Sequence, residues 1–294
     1  MWNDLLTEIK NNNRKALARA ISLIENEYEG YFEFLQSLKN LNTPVIGITG
    51  PPGAGKSTLT DALINHIVQQ NKKVAVLCID PSSPFNHGAL LGDRIRMNAW
   101  YNEQRVFIRS LASRGNVGGV NSKIIEITSL AQAAGFDYII IETVGAGQNE
   151  VEIAGVADET IVVLIPDSGD EIQTLKSGLL EIADIFVVNK SDRSNADIFI
   201  QNLRNALSFY KNAIPIIPTV ATSKKGIDEL FTEIEKKLHM SSKDKRIIVL
   251  AQKAFYILRE ERIKNISKEQ LRNEISMLEE KNDFNLYKFI ARYL

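Results

Sequence analysis

VIGITGPPGAGKSTLTDALI, residues 45–64, decides the fold. It opens on an unbroken apolar run at 45–49, the pattern of a strand buried on both faces. It closes on Leu59, Ala62 and Leu63, which with Ile67 recur at the spacing of one helix face. Between them GPPGAGKST, residues 50–58, matches G-x-x-x-x-G-K-[ST] in the strand–loop–helix setting that gives the pattern its meaning. Glycines let such a loop curl until its N–H groups face phosphate oxygens, and the following helix adds its positive end. Gly50, Pro51, Pro52, Gly53, Ala54, Gly55, Lys56, Ser57 and Thr58 are therefore the expected phosphate-binding residues. Lys56 should reach the β- and γ-phosphates as a catalytic cation, and the Ser57 hydroxyl should ligate Mg²⁺.

Working outward, further short apolar runs lie at 74–79, 106–108, 138–141, 161–165, 185–188 and 214–217. They alternate with helical patterns, which predicts βα units and an α/β, doubly wound, mostly parallel sheet. Before it, Leu5, Leu6, Ile9, Leu17, Ala20, Ile21 and Ile24 predict helices interrupted at residues 11–13. After Met240 the strands stop. Ile247, Leu250, Ala251, Ala254 and Leu258 mark a long amphipathic helix, and 263–294 also reads as helical. The division expected is a helical extension at 1–42, a P-loop domain at 43–240 and a helical C-terminal segment at 241–294.

Base choice comes from NKSD, residues 189–192, at the end of the run 185–188. The Asp192 carboxylate can accept from the N1–H and N2–H₂ donors of guanine, a donor pair that adenine lacks. Asn189 would bridge the base to the phosphate loop, and the Lys190 stem would lie over the ring. Thr222, Ser223 and Lys224 sit where a second base-contacting loop would fall, although Thr-Ser-Lys-Lys-Gly is also good turn sequence. The expected ligand is GTP or GDP.

The strand at 138–141 runs into ETVGAGQ, residues 142–148. Glu142 suits a direct or water-mediated contact with Mg²⁺, and the Gly145 N–H can meet the γ-phosphate and report its presence. Gln148 does not follow the glycine directly and is given no water-orienting role. Asp80 ends another strand run and Asp93 lies in LGDRIRM, so three carboxylates could converge on one Mg²⁺. Asp80 equally suits capping of the turn Asp-Pro-Ser-Ser-Pro. The catalytic set expected is Lys56, Asp80 and Glu142, and the metal set Ser57, Asp80, Asp93 and Glu142.

Composition sets outer limits. The 294 residues carry a formal net charge of -1, with 44% hydrophobic and 24% charged residues, as in ordinary soluble domains. That balance gives no overall pull toward nucleic acid or an anionic membrane. No apolar run approaches the ~20 residues that span a bilayer. Cys78 is the single cysteine, and His66, His87 and His239 lack ligand spacing. A cytoplasmic location is the expectation.

Taken together, GPPGAGKST, DPSSP, LGDRIRM, FIRSLASRG, ETVGAGQNE, GDEIQTLKSGLLEIADI and NKSD resemble the MeaB/ArgK/MMAA family, over residues 14 to 235. These are SIMIBI-class GTPases that accompany adenosylcobalamin-dependent mutases. The resemblance places the family's metal and switch acids on Asp80, Asp93 and Glu142, and its base-recognition residues on Asn189, Lys190 and Asp192. It implies a GTP-hydrolysing chaperone that gates cofactor loading and protection of an acyl-CoA mutase, and a homodimer made through the C-terminal helices. The chain departs from the family at Asn86-His87-Gly88 and at Asn116, both in loops expected to switch. Two rivals stand beside this reading. A metallochaperone GTPase would need a Cys/His metal-carrying site, against which the scattered histidines and lone cysteine argue. A kinase would need an acceptor pocket and a base beside it.

Overall fold

The computed structural model describes residues 1–39, 42–80, 98–112, 123–143, 152–166, 177–208, 213–240, 243–263, 266, 268–279, 289, 292 and 293. Seven strands form one sheet: β1 (Val45–Thr49), β2 (Val74–Asp80), β3 (Val106–Ala112), β4 (Tyr138–Thr143), β5 (Glu159–Leu164), β6 (Ile185–Asn189) and β7 (Ile216–Thr219). Their order is β3-β2-β4-β1-β5-β6-β7, and every pairing is parallel. The chain winds outward from β1 to one side, returns through β4, and then winds to the other side. That is a doubly wound α/β sheet, with β1 in the middle.

The strands begin where the apolar runs begin, with two exceptions, and β3 continues four residues past its run to Ala112. β5 begins two residues earlier than its run, at Glu159 and Thr160, which are polar yet buried. β7 begins at Ile216 instead of Ile214, because pairing with β6 starts at Phe186 opposite Ile216. At the edge, Pro218 stands opposite Val188.

Helices cover both faces. On one face α4 (Lys56–Gln69) and α8 (Ile227–Met240) bring Leu59, Leu63, Ile67, Leu230, Phe231 and Ile234 against Ile46, Ile48, Val76, Ile140, Val163 and Val187. Each such side chain contributes roughly 1.5–3 kcal/mol on full burial. On the other face α7 (Ala196–Leu207) places Phe199, Ile200, Leu203 and Leu207 against Val162, Leu164, Phe186 and Val188, with Leu179 of α6 (Ser177–Ile182). Alternate residues of β5 and β6 thus serve opposite cores, which is why these strands read as continuous apolar runs.

The N-terminal helices are α1 (Trp2–Lys10), α2 (Arg14–Glu25) and α3 (Tyr31–Gln36). The break between α1 and α2 has a local cause. Asn12 takes φ +61°, and the Asn13 side chain caps α2 by accepting from the N–H groups of Lys15 and Ala16. Polar contacts tie this extension to the sheet and to α5 (Ile124–Ala133). Arg109 of β3 donates to Ser22 Oγ at 2.9 Å and pairs with Glu25 at 3.2 Å. Lys123, which caps α5, pairs with Glu27 at 2.9 Å and donates to the Tyr31 hydroxyl at 3.2 Å.

The chain divides into two compact units, residues 1–249 and 250–294. Among the described residues α8 is followed by α9 (Lys243–Ile263) and α10 (Lys268–Glu279). Among the described residues no helix is long and apolar enough to cross a membrane.

Candidate active site

The site is built where β1 ends, between β4 and β5. Ligands of open α/β sheets bind outside the carboxyl ends of the strands at such a reversal. Gly50 leaves the strand with φ +139°, and a Cβ there would stand 2.2 Å from Val163 O on β5. Only glycine lets the loop pass so close. Gly55 closes the loop with φ +88°, where a Cβ would meet Asn189 Nδ2 at 2.4 Å. The next residue, Lys56, starts α4 and is itself buried. Its Nζ donates to Gly50 O at 2.7 Å and to Pro51 O at 3.0 Å, so the ammonium lies folded against the loop that precedes it.

On one side of the loop stands β4. Ser57 Oγ donates to Glu142 Oε1 at 2.6 Å. Glu142 is buried and level with Ile48 of β1 on one side and Cys78 of β2 on the other. Thr143 Oγ1 donates to Thr49 Oγ1 at 2.9 Å, which fixes the ends of β4 and β1 together. A hydroxyl and a carboxylate, two hard oxygen donors, therefore meet at the N-terminal turn of α4. That donor set fits Mg²⁺.

Asp80 is the last residue of β2, opposite Ala112 of β3. Because Cys78 is level with Glu142, Asp80 lies two residues further toward the loop side of the sheet. Asp93, Gly145 and Gln148 lie outside the described residues, as do His87, Asn86 and Asn116.

On the other side stand β6 and β7. Asn189 ends β6 and is 2% exposed. Its Nδ2 donates to Ala54 O in the loop at 2.9 Å, and its Oδ1 accepts from Ala221 N at 3.1 Å and Thr219 Oγ1 at 3.2 Å. Lys190 takes φ +56° and its Nζ donates to Gly53 O at 2.9 Å. Asp192 is exposed and immediately follows Ser191, whose N–H donates to Thr219 O at 3.0 Å. The NKSD turn is thus pinned to the phosphate loop at Gly53 and Ala54 and to β7 at Thr219.

Thr222 and Ser223 lie in a short 3₁₀ turn, Ala221–Ser223, with Lys224 next at φ +60°, and all three are exposed. The residues of this loop that reach Asn189 are Thr219 and Ala221, which the sequence reading did not single out. No signal in the sequence marked them: Thr219 comes level with Asn189 only once β7 pairs with β6.

Asn189→Ala should lower stability by roughly 2–4 kcal/mol, because it leaves buried Ala54 O and Ala221 N without their partner. Urea denaturation of the nucleotide-free proteins measures this. A variant as stable as the parent would remove Asn189 from the list of structural bridges.

The family model described as Methylmalonyl Co-A mutase-associated GTPase MeaB matches residues 17–276. A protein of Pyrococcus abyssi (strain GE5 / Orsay), named as a GTPase, is 44% identical over 245 residues, covering 80% of this chain and 76% of its own. GTPase ArgK of Escherichia coli (strain K12) is 36% identical over 247 residues, covering 78% and 73%. Among solved structures, one titled LAO/AO transport system kinase shares the fold with a TM-score of 0.71 at 24% identity, over 99% of this chain and 96% of that one.

Proposed function

This chain belongs to the MeaB family of mutase-associated GTPases, and from that premise we propose that its GTP cycle gates cofactor loading and protection of an adenosylcobalamin-dependent acyl-CoA mutase. It binds guanine nucleotide and hydrolyses GTP, as its family does. The observation that carries the site assignment is the Asn189 bridge, which ties the base turn to the phosphate loop through Ala54. A bound nucleoside triphosphate would then lie along one continuous rim, with its base at the NKSD turn and its phosphates over the loop.

In this reading Lys56 exchanges its contacts with Gly50 and Pro51 for the β- and γ-phosphates, bringing a fixed positive charge to oxygens that gain charge as the γ-phosphoryl leaves. The loop N–H groups hold the remaining phosphate oxygens, and Asp192 selects the guanine edge. Thr222, Ser223 and Lys224 flank the base from the exposed side. Ser57 Oγ and Glu142, with Asp80 and Asp93 as further acids, would hold Mg²⁺. When bound, the ion neutralises charge on the β- and γ-phosphate oxygens. In this reading Glu142 both orients Ser57 and passes the state of the phosphates on to Gly145, three residues further along the chain.

The partner side rests on the description of the family. A homodimer is supported by α9, where Ile247, Ile248, Leu250, Phe255 and Leu258 are all exposed. At 3.6 residues per turn these five fall on one half of the helix surface, so the segment 241–294 is our candidate for the contact between two copies. We place the assembly in the cytoplasm.

The test is GTP turnover of the purified chain at rising concentrations of the host's B12-dependent acyl-CoA mutases. A cognate mutase should accelerate turnover at least tenfold, since groups supplied in trans raise GTPase rates by roughly 10³–10⁵ in the best cases. Glu142→Ala should remove most of that response. Absence of stimulation by every mutase, together with no co-purification, would defeat the mutase reading and leave the GTPase intact.

A further inference from the structure

Asn195 stands immediately before α7, where an asparagine ordinarily turns its side chain back to accept from the first N–H groups of the helix. Here it does not. Its side chain makes no capping bond, and its Nδ2 donates instead to Pro166 O, 29 positions earlier and two residues past the end of β5. The start of α7 is held by other means. Phe199, Ile200, Leu203 and Leu207 are in the core, and the Phe199 N–H donates to Asn195 O at 3.0 Å.

The contact joins the base turn to the strand against which the phosphate loop is packed. Gly50 passes beside Val163 of β5, and the next residue of that strand, Leu164, is level with Val188 of β6. Pro166 and Lys190 each stand two residues beyond that pair. Through Asn195 the far end of the base turn is therefore referred back to β5, just as its near end is referred to the loop through Asn189 and Ala54.

Asp192 lies between two anchors. Before it, the Ser191 N–H is bonded to Thr219 O; after it comes Asn195. The backbone between them is turned twice, by Arg193 N–H to Lys190 O at 3.2 Å and by Ala196 N–H to Arg193 O at 3.1 Å. Because Asp192 is exposed, its carboxylate is placed by the backbone of this turn and not by packing around its side chain. Pairing with a base edge demands heavy-atom distances of about 2.7–3.2 Å, and a selecting group must be held to roughly 0.5 Å.

We propose that Asn195 is a positioning residue for guanine selection: its amide ties the turn 190–195 to the exit of β5 and so holds the Asp192 carboxylate where the guanine edge meets it. The inference rests on the reading of Asp192 as the base-selecting acid. Asn195 acts through Asp192 and not on the nucleotide. The amide N–H is the part that matters. A carboxylate of the same shape cannot donate, and it would set its own oxygen against the Pro166 carbonyl. The same carboxylate is nevertheless a good helix cap, and its charge suits the positive end of α7. The substitution Asn195→Asp thus separates positioning from any role in starting the helix.

GDP and IDP differ only in the exocyclic 2-amine, so the ratio of their dissociation constants reads the contact between that amine and Asp192. Calorimetry on the full chain with Mg²⁺ should show the parent binding GDP roughly tenfold or more tighter than IDP, as a charge-assisted hydrogen bond provides. Asn195→Asp should lower that ratio by roughly threefold to tenfold, through a larger loss for GDP than for IDP. Its urea midpoint should stay at or above the parental one, since aspartate caps a helix as well as asparagine does. Asn195→Ser, which also caps but is too short to reach Pro166 O, should lower the ratio in the same way and serves if the first variant folds poorly. A purely structural role would weaken both nucleotides alike and leave the ratio unchanged. A parental ratio near one would defeat the Asp192 reading and this inference with it. A parental preference retained in folded Asn195→Asp and Asn195→Ser proteins, or an equal loss for GDP and IDP, would overturn this inference alone.

Discussion

Lys56→Ala should lower GTP affinity by roughly 10²–10³-fold while leaving the fold in place. The lysine is the cation at the start of α4, held to the phosphate loop by two contacts with backbone carbonyls. Charge-assisted hydrogen bonds of this kind are worth about 1.5–3 kcal/mol each, and losing two reaches the stated range. Alanine continues a helix better than lysine does, so α4 should still begin at this point. Calorimetry on a variant with parental circular dichroism reads the result. Parental GTP affinity in that folded protein would sink the assignment of Lys56 to the phosphates.

The second large effect concerns the base. Asp192→Asn should exchange the preference for GTP for one for XTP, changing the ratio of the two affinities by roughly 10³ or more. Xanthine presents a carbonyl where guanine presents its exocyclic amine, and an amide donates where a carboxylate cannot. Sites built to pair a polar edge reject a mismatched edge strongly, because buried groups are left without partners. Asp192 is exposed in the chain alone, so the substitution should cost little stability. Competition binding with GTP, XTP and ATP measures the change. A variant that still prefers GTP as strongly as the parent rules out this role for the NKSD turn.

The residues behind these two predictions were legible because each stands at the end of an apolar run. A strand end followed by a turn is a local event, and its chemistry depends on neighbours in sequence. Lys56 and Asn189 are both of this kind. What joins them is not local: Asn189 reaches Ala54, 135 positions earlier. Spacing cannot reveal that contact, and it cannot reveal that Thr219 and Ala221, instead of the more polar Thr222-Ser223-Lys224, share the Asn189 carbonyl. The start of β5 was missed for a related reason. Glu159 and Thr160 are polar, and only the pairing of Thr160 with Asp184 and of Glu159 with Lys245 makes their burial tolerable. Likewise no spacing pairs Arg109 with Glu25 at the end of α2, or Lys123 with Glu27 just beyond it.

Pro218 on the outermost strand has a consequence for life in a concentrated solution. Thr219 O accepts from Ser191 N and Pro215 O from Phe186 N, so odd-numbered positions of β7 turn their backbone groups inward to β6. By alternation Pro218 turns outward, where an incoming extended chain would look for N–H donors. It has none to offer, and β7 is only four residues long. A sheet that ended in a long strand with every donor in place would be a template for strand-by-strand accretion. Here that template is too short and chemically incomplete, so an unfolded neighbour finds little to polymerise on at this edge.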